Sequence, residues 1–151
     1  MRMSRGMGIL RAPWSAELAI GSIKNYRNTT EDDDGSTWRV GHSGSYNYRL
    51  KIPITVPRPA RKITVVTKWT SLTPGSLSGK VAFHFGLTST NGTSHPTADT
   101  TVQITTGSKQ GTAEIEKTVA PGTWYLWIDA DSDGYGYVNQ ANNWLTVTGE
   151  G

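Results

Sequence analysis

An alternation of apolar and polar residues from Tyr46 to Val56 constrains the fold of this chain more than any other feature. Every second position in the segment is apolar, and the apolar set is Tyr46, Tyr48, Leu50, Ile52, Ile54 and Val56. A period of two predicts a β-strand with one face buried in a core. Pro53 lacks the N–H that a sheet ladder uses, so it predicts an edge strand or a β-bulge at this position.

Later parts of the chain repeat this type of segment, with Gly, Pro, Asn and Ser between them. The further predicted strands are Lys62–Trp69, Val81–Leu87, Thr101–Thr105, Gly111–Val119, Trp124–Ile128 and Leu145–Val147. The composition agrees, because 6 Trp and 6 Tyr suit a pleated surface and 17 Gly suit many turns. We therefore predict an all-β fold, a β-sandwich of jelly-roll or immunoglobulin-like type with about eight strands.

The beginning of the chain lacks this pattern. We expect residues 1–40 to form an N-terminal arm or peripheral segment, and residues 41–151 to form the sandwich domain. Within the arm, Pro13–Ile20 fits either a helical turn or a short strand, and the acidic run at 31–35 predicts an exposed turn. Residues 1–75 carry 12 of the 15 Lys and Arg, so this half of the chain is basic, with its charges on solvated strand faces and in the arm or facing an acidic partner surface. We expect the arm to dock on the domain or on a neighbouring subunit.

Several classes of function are excluded by what the sequence lacks. It has no Cys, which excludes disulfides and thiol chemistry, and no run of about 18 apolar residues, which excludes a membrane-spanning helix. Its basic residues are dispersed and accompany no nucleic-acid motif, so we expect no nucleic-acid partner. His42, His84 and His95 are scattered, and no nucleophile elbow or paired carboxylates are present, so we predict that the protein is not an enzyme.

Aromatic residues late in the chain predict a glycan-binding site. Tyr135 and Tyr137 lie in a glycine-rich segment that we interpret as an exposed loop, and Trp144 directly follows Asn142 and Asn143. Aromatic rings stack on the apolar faces of sugars, while amide groups hydrogen-bond to sugar hydroxyls. The alternative interpretation is that these rings belong to the core, as most tryptophans of a small sandwich do.

An acidic segment near these tyrosines has the spacing of a calcium loop. Asp129, Asp131 and Asp133 alternate and are followed by Gly134, which allows a sharp turn. Calcium needs six to eight oxygen ligands, so carbonyls or water would have to complete the shell. The alternative is a solvated Asp/Gly hairpin turn, which the same composition makes equally well.

The stretch Ala120-Pro121-Gly122-Thr123-Trp124-Tyr125-Leu126-Trp127-Ile128 resembles the approach to a late strand in fibronectin- and immunoglobulin-like sandwiches. In those domains the tyrosine at the place of Tyr125 makes a corner that anchors the turn. With residues 139–143, the stretch also resembles the end of bacterial adhesion-related CARDB domains. It is similar as well to β-sandwich modules in minor structural proteins of phages that infect gut Firmicutes.

The phage resemblance implies a non-enzymatic virion component, such as a tail, fibre or decoration protein. It would form a homo-oligomer, contact other virion proteins through the N-terminal arm, and meet glycans of the host surface. The alternative is a bacterial carbohydrate-binding or adhesion module with an immunoglobulin-like fold.

Overall fold

The computed structural model describes residues 13–32, 35–130 and 134–151, and these fold as two antiparallel β-sheets. Their strands are β1 (Ser15–Glu17), β2 (Ala19–Ile20), β3 (Lys24–Arg27), β4 (Thr30–Glu31), β5 (Thr37–Ser43), β6 (Tyr46–Val56), β7 (Lys62–Lys68), β8 (Ser71–Pro74), β9 (Lys80–Thr88), β10 (Thr100–Thr105), β11 (Gln110–Ile115), β12 (Gly122–Ala130), β13 (Gly134–Asn139) and β14 (Leu145–Glu150). The all-β sandwich prediction is confirmed. The strand count exceeds the predicted eight because several strands are only two to four residues long.

The two sheets differ in size. The smaller sheet has the strand order β1-β14-β7-β11. The larger sheet has the order β10-β9-β12-β6-β5-β13-β8, while β2 and β3 also pair with β6, and β4 pairs with β3. The strand with the strongest alternation, β6, therefore lies at the centre of the larger sheet.

The core lies between the inner faces of the two sheets. Leu50, Ile52 and Ile54 of β6 are at most 1% exposed, and Ile63 and Val65 of β7 are fully buried in the smaller sheet. Burying each such side chain contributes about 1.5–3 kcal/mol. Successive residues of a strand point to opposite faces, so the residues between them in β6 lie on the other side of the sheet, which we call the outer face.

Pro53 requires a correction, because β6 is a central strand and not an edge strand. Pro53 pairs with Tyr125 of β12 in register, and its carbonyl accepts a hydrogen bond of 2.8 Å from the N–H of Gly21. Gly21 lies in the break between β2 and β3, where the ladder on that side of β6 is interrupted. The missing N–H of the proline faces this break, and so it costs the sheet no ladder bond.

The segment that we assigned to an arm pairs with both sheets over its described part. Ser15–Glu17 pair with Thr148–Glu150 in the smaller sheet, and β2 and β3 pair with β6 in the larger one. Pro13–Ile20 contains two short strands, so the strand interpretation of this segment is confirmed and the helical turn is not. Their alternation is weak because these strands bury little, and all three residues of β1 are exposed. Residues 1–12 lie outside the described part of the chain.

No helix among the described residues is long and apolar enough to cross a bilayer.

Candidate functional site

Three tyrosines from two strands surround one arginine, and a fourth tyrosine contacts one of the three. The guanidinium carbon of Arg39 lies 4.9 Å from the ring centroid of Tyr48, 5.4 Å from that of Tyr135 and 5.2 Å from that of Tyr137. Tyr135 and Tyr137 meet edge to face at 5.8 Å, and Tyr46 meets Tyr48 in the same way at 6.2 Å. We call Tyr46, Tyr48, Tyr135, Tyr137 and Arg39 the tyrosine surface.

Strand register brings these residues together. Tyr137 pairs with Arg39 across β13 and β5, while Gly41 of β5 pairs with Tyr135 on one side and with Tyr48 on the other. Cations this close to aromatic faces are attracted by about 0.5–1 kcal/mol at exposed sites. Arg39 also donates a hydrogen bond of 3.1 Å to the Ser43 hydroxyl. The arginine therefore holds the rings in a fixed arrangement.

The loop predicted around Tyr135 and Tyr137 is instead the strand β13. Its residues alternate, with Gly134, Gly136 and Val138 buried and the two tyrosines half-buried on the opposite face. A Cβ atom on Gly136 would lie 2.8 Å from the Trp69 ring. At Gly136 the core side chains leave no room for a larger residue, whereas Gly134 has a φ of 132°, which favours glycine. Close packing therefore accounts for Gly136, and backbone conformation accounts for Gly134.

The most exposed member of the tyrosine surface is Tyr46. Its side chain is 44% exposed, and no other large hydrophobic residue in the described part of the chain is classed as exposed. The guanidinium carbon of Arg27 lies 4.9 Å from the Tyr46 ring centroid. Tyr135 and Tyr137 are half-buried, and Tyr48 is 9% exposed. The surface thus offers one open ring face beside two guanidinium groups and further tyrosine side chains.

Trp144, Asn142 and Asn143 lie apart from the tyrosine surface. Trp144 is 5% exposed and packs in the core, with its ring centroid 6.3 Å from that of Trp38. Asn142 and Asn143 are exposed and line a recess of about 400 Å³. The other lining residues of this recess are Lys68, Trp69, Thr70 and Trp144, and none of the tyrosines takes part. Trp144 is therefore a core residue, in agreement with the alternative interpretation.

The predicted calcium ligands are described only in part. Asp129 is the penultimate residue of β12, and its side chain is 8% exposed, 3.2 Å from His95 Nε2 and 3.7 Å from Arg49 Nε. Asp131 and Asp133 lie outside the described residues. Within residues 13–32, 35–130 and 134–151, no three His, Asp or Glu side chains are grouped so that they could hold a metal ion. Asp129 is thus engaged by a cation on the outer face of the larger sheet.

A second candidate site, which the sequence analysis missed, is a polar cleft on that outer face. It is lined by Asn47, His84, His95, Pro96, Thr97, Ala98, Asp129 and Ala130, and we call it the outer cleft. Asp129 pairs with His84 in register, and the His84 Nδ1 lies 2.7 Å from the Thr101 hydroxyl. The available signal was a set of polar residues at the outward positions of β6, β9 and β12. These residues can be recognised as one site only when the register of the three strands is known.

One wall of the outer cleft is the loop of residues 89–99, which we call the roof loop. Lys51, which is 5% exposed, donates hydrogen bonds to Asn91 Oδ1 at 2.7 Å and to the Gly92 carbonyl at 2.9 Å. At the other end, the Asp99 carboxylate accepts a hydrogen bond of 2.7 Å from the Leu87 N–H. These bonds fix both ends of the loop against the sheet.

The Lys51 ammonium is also enclosed by aromatic rings. Its Nζ lies 5.3 Å from the ring centroid of Tyr125, 5.6 Å from that of Tyr26 and 5.9 Å from that of Trp127. Tyr125, for which the resemblance implies a corner, thus lies within β12 with its ring beside this ammonium. Tyr26 and Trp127 stack at 5.5 Å, so aromatic rings continue under the roof loop.

Comparison with known proteins gives neighbours in structure alone. No family model and no curated protein sequence matches the chain. A family 6 carbohydrate-binding module of Cellvibrio mixtus lichenase 5A, solved with cellotriose, is similar with a TM-score of 0.40 and 11% identity, over 82% of this chain and 94% of that one. A family 35 carbohydrate-binding module of Clostridium thermocellum is similar with a TM-score of 0.37 and 11% identity, over 91% of this chain and 98% of that one. Likeness at this level concerns the β-sandwich and not the ligand.

Proposed function

We propose that this protein is a non-catalytic glycan-binding β-sandwich that holds its ligand on the tyrosine surface. The observation that carries the proposal is the exposed ring of Tyr46, 44% exposed at the border of three further tyrosines and two arginines. Tyrosines are enriched at binding surfaces because each combines an apolar ring with a hydroxyl that forms hydrogen bonds, and here four of them lie together.

The chemistry of the surface suits a sugar. A pyranose ring has an apolar face, which can stack on Tyr46, and a rim of hydroxyls that both donate and accept hydrogen bonds. Tyrosine hydroxyls do the same, while the guanidinium of Arg27 supplies donors. Because Arg39 already holds three of the rings in place, binding immobilises few side chains and loses little conformational entropy.

The charge of the surface favours an acidic glycan over a neutral one. Arg27 and Arg39 both contact its tyrosine rings. A guanidinium binds a carboxylate through two parallel hydrogen bonds, which are stronger than bonds between neutral groups. We therefore expect glycans containing uronic or sialic acids to bind more tightly than their neutral counterparts, with an affinity that falls as salt concentration rises.

Glycan-array screening followed by titration calorimetry tests this proposal. Tyr46→Ala should weaken the binding of an array-positive glycan about tenfold, the equivalent of about 1.4 kcal/mol. Tyr125→Ala is the control, since it removes a half-buried tyrosine that lies outside the tyrosine surface. Chromatography of the recovered glycan should show it intact. Equal losses in both variants, or an array with no positive glycan, would contradict the proposal.

The place of the protein on a phage particle stays a prediction, as do a symmetric oligomer and contacts of the N-terminal residues with other virion proteins. Light scattering after gel filtration tests the oligomer. A mass that is a multiple of 16.4 kDa supports it, and a mass equal to that of one chain contradicts it.

A further inference from the structure

The outer cleft is lined by a residue with a buried polar atom that the fold does not use. Asn47 Oδ1, an acceptor on a residue that lines the cleft, is buried without a hydrogen-bond partner among the described residues. Arg49 Nε is also buried without a hydrogen-bond partner there, but Arg49 does not line the cleft, and this atom lies 3.7 Å from the Asp129 carboxylate. Leaving such atoms unpaired costs about 1–3 kcal/mol each. Asn47 and Arg49 are two residues apart on β6, so their side chains point to the same face. A ligand that donates a hydrogen bond would satisfy Asn47 Oδ1.

The charges around the cleft favour a ligand without net charge. Arg49 and His95 lie at 3.7 and 3.2 Å from the Asp129 carboxylate, which already neutralises positive charge on this side. An anion in the cleft would meet this carboxylate, and a cation would meet Arg49. Hydroxyl groups carry no charge and combine donor and acceptor in one atom.

The size and the walls of the cleft further limit the kinds of ligand that it can bind. Its volume is about 200 Å³, below the roughly 300–1,000 Å³ of pockets that take drug-sized ligands. Pro96, Ala98 and Ala130 give it apolar walls beside the polar floor. Gly86 lets the roof loop approach the sheet, because a Cβ there would lie 3.0 Å from Pro96 Cγ. One ring with hydroxyls on its rim and C–H groups on its face matches such walls.

We propose that the outer cleft is a second binding site, which takes a single sugar ring or a cyclic polyol of similar size. Asn47 Oδ1 accepts a hydrogen bond from one hydroxyl of the ring. Pro96 and Ala98 contact the C–H face of the ring. The site is independent of the tyrosine surface, since no residue of that surface lines the cleft.

The test is titration of the ¹⁵N-labelled protein with D-glucose, D-galactose, myo-inositol and D-glucuronate, followed by NMR. We expect at least one neutral probe to shift the roof-loop amides and the imidazole signals of His84 and His95, and glucuronate to shift them less. Asn47→Ala should weaken this binding at least about tenfold. It should not lower the melting temperature, because it removes a buried acceptor that has no partner.

Two controls make the outcome decisive. Gln103→Ala removes an exposed amide from β10 of the same sheet and should leave the affinity unchanged. Tyr46→Ala should also leave it unchanged, although that variant impairs the glycan binding proposed above. If no neutral probe shifts these signals, or if Asn47→Ala binds as Gln103→Ala does, the cleft holds ordered water only and the proposal is wrong. If Tyr46→Ala abolishes the shifts, the two sites are not independent.

Discussion

Replacing Gly136 by alanine should destabilise the protein through overpacking. The added Cβ would lie 2.7 Å from Leu72 Cδ2, 2.8 Å from Trp69 Cε3 and 3.2 Å from Phe83 Cζ. Leu72 can rotate away, but Trp69 and Phe83 are stacked with centroids 4.0 Å apart and planes 13° apart, so neither ring can shift without disturbing the other. Overpacking of this kind costs about 1–3 kcal/mol.

Thermal unfolding of Gly136→Ala and of Gly107→Ala measures this cost. Any glycine-to-alanine change gains about 0.4–1 kcal/mol by restricting the unfolded chain. Gly107 has open space around its Cβ position and no positive φ, so its variant reports that gain alone. At about 2–4 °C per kcal/mol for a chain of this size, an overpacking cost of about 1–3 kcal/mol means that Gly136→Ala should melt roughly 2–12 °C below Gly107→Ala. Equal melting temperatures would refute the packing argument.

Two further predictions concern the roof loop. Lys51→Met removes two hydrogen bonds to the loop, but it also removes a buried charge. Amide hydrogen exchange in the loop should therefore accelerate, while the free energy of unfolding changes by under about 1 kcal/mol. Unchanged exchange rates would contradict this prediction. In Asp99→Ala, the buried N–H of Leu87 and the Lys117 ammonium both lose a hydrogen-bond acceptor. The free energy of unfolding, measured by chemical denaturation, should fall by about 1–3 kcal/mol. A variant as stable as the wild type would contradict this prediction.

The strands that alternation predicts are those with one buried face. In β6 the buried residues recur at every second position because the core lies on one side, and the same holds for β7 and β9. The first strands, β1 to β4, could not be found in this way. Ser15–Glu17 add hydrogen bonds to β14 but bury no side chain, so their pairing requires no alternation of apolar and polar residues.

The candidate sites were predictable only to the extent that neighbouring residues form them. Tyr135 and Tyr137 could be identified as a pair, but their contact with Arg39 and Tyr48 depends on the register of β5 between two strands. The outer cleft depends on register still more, because Asn47, His84 and Asp129 come from three strands. Trp144 could not be assigned, since a tryptophan beside asparagines fits a core and a binding site equally well.

The pairing of β1 with β14 also sets the order in which the chain can fold during synthesis. In the smaller sheet β14 lies between β1 and β7, so β1 pairs with a strand that the ribosome makes last among those described. At about 5–20 residues per second, β1 waits on the order of ten seconds for this partner. During that time the edge of β7 that later pairs with β14 has unpaired backbone N–H and C=O groups, and it is open to chaperones or aggregation.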